Sequence, residues 1–432
     1  MSIKSMIIWG LRSGQTRAYV CEMAKVMSRI DRFNLVWRDA YENVPFYADW
    51  RALHGLPDRI SSLGELSTWP IVEKKDLQYN QEKLTRSDIL QFNVNVTGGS
   101  TGEPLHFRTT AFESNVVSVN KWIGWARMGI YPDSRCFLLW GHRHGHGLGL
   151  SGHMHFAWRC MKDWMTNNLR ADATDLSQWA LKKDVEKLIS FKPECVIAYS
   201  ASLLALVRSC GDYRGQCQRL GIRAVICTAG PLTKSEREEI GAFFNAPVGM
   251  EYGSMEAGVM AYQTPMTEGR YDVFDNTHIL HAASDNVGLY SPLLVTKLYP
   301  CYLPLIRYSI GDCVQNAVVD IDDTIVKFDE VLGRTGDEVD MGDGVKFHGQ
   351  SFMLCAECCD KVVAYQIRVN RHKKTVTFVV QTVAPLTEME KKVLTIQSSK
   401  MSGLPKSAIR IEESERLVKA PSGKIRLVIE EL

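Results

Sequence analysis

The spacing of apolar positions changes along this chain, and each change marks a part. The first ~90 residues are mostly helical in pattern. Prolines interrupt them at Val44-Pro45-Phe46-Tyr47 and at Trp69-Pro70-Ile71-Val72, which reads as two connections. Phe92-Asn93-Val94-Asn95-Val96 alternates and predicts a strand. Leu181, Val185, Leu188 and Ile189 fall on one helical face, and Cys195-Val196-Ile197-Ala198-Tyr199 is short and apolar, as in a buried strand. Ser200 or Ser202 then caps a helix through Leu203, Leu204 and Val207. Ala224-Val225-Ile226-Cys227 is the next strand. A helix follows from about Lys234 to Phe244 with Ile240, Phe243 and Phe244 inward, and Val248-Gly249-Met250-Glu251 is a third strand. Strands alternating with helices predict parallel pairing through right-handed crossovers.

After about residue 333 the pattern shifts. Val362 to Val369 and Thr375 to Gln381 read as strands, Leu386 to Ile396 as a helix, and Ile409-Arg410-Ile411 as a short strand. The expected fold is α/β in two parts, because 432 residues exceed one compact core. Residues 1–333 form a large domain of mixed or parallel sheets flanked by helices. Residues 334–432 form a small, mobile α+β domain, with the junction at Gly333-Arg334-Thr335-Gly336-Asp337.

Composition narrows the classes. Hydrophobic residues at 45% and charged residues at 23% describe an ordinary soluble protein. A net charge of +2 without a Lys/Arg block gives no case for nucleic acid. No segment approaches the ~18 apolar residues of a membrane span. The N-terminal apolar stretch is too short for a signal peptide. Twelve cysteines without a secretory signal suggest free thiols in a reducing cytoplasm.

In parallel sheets ligands bind beyond the carboxyl ends of strands, so the loops after Val96, Cys227 and Glu251 are where chemistry is expected. The first is Thr97-Gly98-Gly99-Ser100-Thr101-Gly102-Glu103-Pro104. Its glycines allow close backbone approach and an amide nest for an anion, and its hydroxyls suit phosphate oxygens. The Walker spacing is absent. The others are Thr228-Ala229-Gly230-Pro231, Glu251-Tyr252-Gly253-Ser254-Met255-Glu256, and Ile306-Arg307-Tyr308-Ser309-Ile310-Gly311-Asp312. A fifth piece, Lys419-Ala420-Pro421-Ser422-Gly423-Lys424-Ile425-Arg426, lies near the C-terminus.

In order and spacing these five resemble the adenylate-forming enzymes: acyl-CoA synthetases, adenylation domains of peptide synthetases, and luciferases. The chain is most similar to the phenylacetate-CoA ligase branch and its capsule-biosynthesis relatives, which Val44-Pro45-Phe46-Tyr47 and Pro70-Ile71-Val72-Glu73-Lys74-Lys75-Asp76-Leu77 also fit. The resemblance implies ATP and Mg²⁺. Thr97, Gly98, Gly99, Ser100, Thr101 and Gly102 would close over the β- and γ-phosphates. Tyr252 would stack on adenine, with Gly230 and Pro231 lining the slot and Gly253 and Ser254 continuing it. Glu256 would hold the metal through carboxylate oxygen. Asp312 would accept from the ribose hydroxyls. Arg334 would sit by ribose and phosphate, and Lys424 would meet the carboxylate and α-phosphate as the acyl-adenylate forms.

The chain departs from the family pattern in places. Glu103 precedes Pro104 and Leu105 follows it, where a lysine is usual. Met255 replaces a hydroxyl residue, and Gly336 takes the first acidic position of the hinge ahead of Asp337. Gly141 to His155 carries five of the eleven histidines. Metal binding, contact with an acidic or hydroxylated substrate, and an ordinary loop all remain open for it. Cys355, Cys358 and Cys359 are spaced for a helix face and read as a thiol-lined core rather than a zinc site.

The resulting expectation is a two-step ligase. A carboxylate attacks the α-phosphate of ATP and displaces pyrophosphate. The small domain then turns about Gly336-Asp337, and a second nucleophile takes the acyl group. The acceptor is coenzyme A, an amine on a sugar or amino acid, or a carrier-protein thiol, and a homodimer is left open. A catalytically silent nucleotide-binding scaffold is the alternative of another class, motivated by Glu103, Leu105 and Met255.

Overall fold

The computed structural model describes residues 27–96, 105–140, 150–173, 175–283, 291–334, 338–342, 345–356, 358–359, 361–418 and 427–431. Helix α1 (Arg29–Asn43) starts on Ser28, whose side chain accepts from the Asp31 amide, and it buries Phe33, Val36, Trp37 and Ala40. Helix α2 (Pro45–His54) begins one residue later, with Pro45 in its first turn. A proline there loses no hydrogen bond, so Pro45 starts a helix where a connection was expected. The Tyr47 hydroxyl, fully enclosed, donates to the Pro304 carbonyl at 2.6 Å and ties this helical layer to the sheets.

The strands follow in chain order. β1 (Asn93–Val96) pairs antiparallel with β2 (His106–Thr109). Helix α3 (Ala111–Ala126) is capped reciprocally by Thr110 and Glu113. Then come β3 (Cys136–Leu139), α4 (Leu150–Met165), β4 (Asn168–Ala171), α5 (Gln178–Phe191), β5 (Cys195–Tyr199), α6 (Ser200–Ser209), β6 (Ala224–Thr228), α7 (Lys234–Phe244) and β7 (Val248–Ser254). A mostly antiparallel stretch completes the region: β8 (Gly258–Gln263), β9 (Tyr271–Val273), β10 (His278–Ala282), β11 (Ser291–Lys297), β12 (Tyr308–Val314), β13 (Val318–Val319), β14 (Ile325–Phe328) and β15 (Val331–Arg334).

A nine-stranded sheet has the order β13-β14-β9-β8-β7-β6-β5-β3-β4. From β7 to β4 it is parallel, while β7, β8 and β9 are joined antiparallel. Buried on both faces, β3, β5 and β6 are nearly continuous apolar runs. A second, antiparallel sheet runs β10-β11-β12-β15.

Beyond it, β16 (Glu338–Asp340) pairs with β17 (Lys346–His348). β18 (Val362–Asn370), β19 (Thr375–Thr382), β20 (Ile409–Glu413) and β21 (Val428–Glu430) form a sheet in the order β20-β19-β18-β21. Helix α8 spans Glu388–Ser402, shifted from the expected Leu386 to Ile396. The Thr387/Glu390 capping box sets its start, and Gly403 at φ 71° ends it.

One apolar cluster runs from Phe33 to Phe328, and another from Val339 to Ile409. The architecture is thus mixed α/β with a separate sheet-rich C-terminal region. Cys355 and Cys359 are buried in the second cluster and Cys358 is exposed. The helix at Met353–Ala356 ends before the last two, so they do not share the helix face their spacing suggested. Among the described residues no helix is long and apolar enough to cross a membrane.

Candidate active site

The carboxyl edge of the large sheet gathers two of the five expected pieces, those that follow Cys227 and Met250, and Asp312 on β12 of the second sheet is bonded to it. Register sets Tyr199 beside Thr228, and Cys227 beside Met250, so Glu251 follows next to Thr228. The Thr228 hydroxyl lies 3.5 Å from Glu251 Oε1, and the Tyr262 hydroxyl donates to Glu251 Oε2. Ala229 takes φ 65°, turning the chain sharply into exposed Gly230 and Pro231. Ser200 Oγ latches this turn, 2.7 Å from the Gly230 carbonyl and 3.1 Å from that of Thr228. No atom lies within 4 Å of where a Gly230 Cβ would stand, so the surface there is open.

Tyr252 on β7 is buried, and its hydroxyl donates to Asp312 Oδ2 on β12 at 2.9 Å. Phe328 and Tyr271 stack on each other at 4.8 Å and meet the Tyr252 ring edge-on. Burial, reinforced by the Asp312 charge, pushes the Tyr252 phenol well up, so it stays a protonated donor. Gly253 is required by packing: a Cβ there would stand 2.4 Å from the Gly258 carbonyl oxygen. The Ser254 hydroxyl accepts from the Ala257 amide at 3.1 Å and closes the turn. Met255 is exposed. Half-buried Glu256 accepts from the Tyr308 hydroxyl at 3.4 Å. Arg334 on β15 is in register with Asp312, and its side chain lies outside the described structure.

Tyr252, Asp312, Glu256 and Tyr308 thus link β7, its following turn and β12 through two hydrogen bonds. Tyr308 and the Glu251–Tyr262 pair are polar members of this edge that spacing alone does not single out. Tyr308 carries only the weak signal of lying four residues before Asp312. Thr97, Gly98, Gly99, Ser100, Thr101, Gly102, Glu103 and Lys424 lie outside the described residues, as do Gly336-Asp337 and residues 141–149. An aromatic ring beside two carboxylates can hold a flat base, a vicinal diol and a cation. Among the described residues no group of three or more His, Cys, Asp or Glu is placed to hold a metal. A lone Glu256 fits Mg²⁺, which is bound through one or two carboxylates, substrate phosphates and water.

This is the fold of the adenylate-forming acyl-CoA ligases. The chain superimposes on 2-hydroxyisobutyryl-CoA ligase in the postadenylation state, in complex with an R3-HIB-AMP ligand, with a TM-score of 0.72 at 15% identity over 93% of this chain and 89% of that one. The same ligase in its thioesterification state gives 0.59. O-succinylbenzoate coenzyme A synthetase of Bacillus subtilis with AMP gives 0.53 at 17% identity, over 82% of this chain and 75% of that one. In sequence the chain is similar to Protein CapK of Staphylococcus aureus, 24% identical over 348 residues, or 78% of this chain and 75% of that protein. No protein-family model matches the chain.

Proposed function

We propose that this protein is an ATP-dependent ligase that activates a carboxylic acid as an acyl-adenylate and then transfers the acyl group. The observation that carries this reading is the Tyr252–Asp312 bond at the carboxyl edge, beside Glu256, in the fold of ligases solved with acyl-adenylates. Tyr252 offers an aromatic face to adenine, and Gly230-Pro231 borders the slot. Asp312 takes the ribose diol once it exchanges the Tyr252 hydroxyl for it. Glu256 holds Mg²⁺, which supplies charge neutralisation at the phosphates when bound. The backbone amides and hydroxyls of Thr97 to Gly102 hold the β- and γ-phosphates, and Arg334 approaches the ribose. Lys424 places its ammonium between carboxylate and α-phosphate, where negative charge builds as pyrophosphate leaves.

Residues 1–333 act as the adenylation domain and 334–432 as the small domain that turns between the two steps. The better match to the postadenylation state than to the thioesterification state of one ligase supports the arrangement of the postadenylation state. Coenzyme A is the acceptor that the solved relatives favour. A second reading, with the same first step, is an amide-forming ligase acting on an amino sugar or amino acid in polysaccharide or secondary-metabolite biosynthesis, and similarity to CapK fits the capsule-related branch that motivates it. Free thiols at all described cysteines suit a cytoplasmic enzyme.

ATP–pyrophosphate exchange across a panel of carboxylic acids tests the first step. Lys424→Ala is expected to lower exchange by at least about 100-fold; exchange at the original rate removes Lys424 from adenylation. No exchange with any acid, alongside measurable ATP binding, would favour the silent scaffold. Supplying coenzyme A or amino sugars and weighing the products then separates thioester from amide.

A further inference from the structure

Helix α4 is amphipathic and lies inside out. The ordinary placement is seen in α7, which turns Ile240, Phe243 and Phe244 to the core. On α4 the large apolar side chains point outward: Trp158 is 64% exposed, Met161 43%, Trp164 70% and Met165 40%. At about 100° per residue these four share an arc of about 120°. Asp163 stands roughly opposite that arc. It is the one buried residue between 157 and 165, and it accepts from Arg170 Nε at 3.0 Å. From residue 157 to residue 162 every position is exposed, which is more than one full turn, so every side of the helix there meets solvent.

Charge gives this outward face its sign. Arg159 and Lys162 are exposed on its flank, while the only acid between residues 157 and 165 is Asp163, already spent on Arg170. Strand β4, which α4 packs against, is the outer strand of the nine-stranded sheet. The next helix repeats the chemistry: Trp179, in the first turn of α5, is 70% exposed, and Lys183 Nζ stands 4.6 Å from its ring centroid. Single exposed apolar side chains are ordinary. A contiguous apolar stripe with a cationic border marks a binding surface. A second copy of the chain fits it poorly, because a twofold contact would set Arg159 and Lys162 against their own copies with no acid on the face to answer them. Tryptophan with arginine and lysine is the composition of a helix lying in a lipid interface, its rings at headgroup level and its cations on anionic headgroups. No described helix is long and apolar enough to cross a bilayer, so the contact is one of lying on it.

We propose that the outer face of α4, with Trp158, Met161, Trp164 and Met165 bordered by Arg159 and Lys162, docks this protein on an anionic lipid surface. Strand β4 is four strands along the sheet from β7, which carries Tyr252. At about 4.8 Å per strand that is about 19 Å. Docking therefore leaves Tyr252 and its partners uncovered, and the proposal stands apart from the adenylation reading.

Co-sedimentation of the full chain with phosphatidylcholine vesicles holding increasing phosphatidylglycerol tests this. The bound fraction is expected to rise with the anionic lipid and to fall as salt screens it. Trp158→Gln with Met161→Gln should weaken the partition at least about tenfold, since two apolar groups no longer enter the interface. Arg159→Gln with Lys162→Gln should weaken it about thirtyfold on anionic vesicles, or about fivefold for each charge, while binding to neutral vesicles stays as it was. All four side chains are exposed, so Tm should keep the parent's value, which separates loss of docking from loss of folding. Undiminished sedimentation of both double variants would put the lipid contact elsewhere on the chain and overturn the proposal. Absence of binding at every phosphatidylglycerol content in low salt would overturn it too. A dimer in light scattering that Trp158→Gln with Met161→Gln dissolves, without sedimentation of the parent, would assign the face to a second copy and refute the lipid reading.

Discussion

Lys297 and Arg307 are both buried cations at the ends of the neighbouring central strands β11 and β12, and their surroundings differ. Lys297 Nζ lies 3.2 Å from Glu113 Oε1, with both side chains 3% exposed. The other Glu113 oxygen accepts from the amides of Thr110 at 2.8 Å and Tyr302 at 2.9 Å. Burial acts to lower the Lys297 pKa, but Tyr299 and Glu113 outweigh it and hold the ammonium charged. Arg86 is closed in the same way, by Asp39, Asp88 and the Cys301 carbonyl. Arg307 differs: among the described residues its buried Nε has no hydrogen-bond partner, and burial alone, with no carboxylate, acts on its charge. A closed cluster locks elements together: Glu113 joins the start of α3 to the end of β11. The contrast therefore separates a cation locked by partners on distant elements from one whose Nε is left without a partner.

The largest effect is expected where closure is removed. Glu113→Ala strands Lys297 and frees two amides, so stability should fall by about 3–5 kcal/mol in urea unfolding. A loss under about 1 kcal/mol would mean that water completes Lys297 as readily as Glu113 does, and the contrast with Arg307 would lapse.

Acid tests the side without partners next, where neither ring nitrogen of His281 has a hydrogen bond among the described residues. Burial holds His278 at about 4 and His281 at about 3, against an ordinary value of 6.5. Both folded values lie below the unfolded one, so the unfolded chain binds more protons in between. Their contribution is complete above pH 6.5 and is lost as pH falls towards 4 and then 3. Together they steepen the acid limb by up to about 2.7 kcal/mol per pH unit. His281→Phe should halve that slope. A slope indifferent to this change would show that His281 finds its partners in solution.

These clusters also mark how far the sequence could be read. Helix α7 was legible to the residue, because Ile240, Phe243 and Phe244 keep a helical period and Thr233 with Glu236 caps its start. The same box at Thr387 and Glu390 sits ahead of a less regular apolar stripe, so the α8 boundaries slipped. Tyr252, Asp312 and Glu256 were legible through their motifs. Their closure with each other and with Tyr308 was not, since it joins segments more than fifty residues apart. Glu113 and Lys297 are 184 residues apart, and Tyr47 and Pro304 are 257 apart. Periodicity registers the faces of elements, and polar closure across such separations has no period to betray it.

Tyr252 supplies the intermediate case, a closed bond that substrate must open. Asp312 now accepts the Tyr252 hydroxyl, and a ribose would compete for that acceptor. Tyr252→Phe removes the donor and keeps the ring among Tyr271 and Phe328. Stability should fall by only about 0.5–1.5 kcal/mol, the ordinary worth of one hydrogen bond. AMP affinity, read by calorimetry, should stay within about twofold or tighten, because the Tyr252 hydroxyl no longer competes with the diol for Asp312 Oδ2 and the aromatic face is intact. Tyr252→Ala should weaken AMP about tenfold or more, since the face itself is gone. If Phe costs as much affinity as Ala, the hydroxyl is a direct contact of the nucleotide. Tyr252 then belongs with the groups that meet a ligand and not with those that hold the fold.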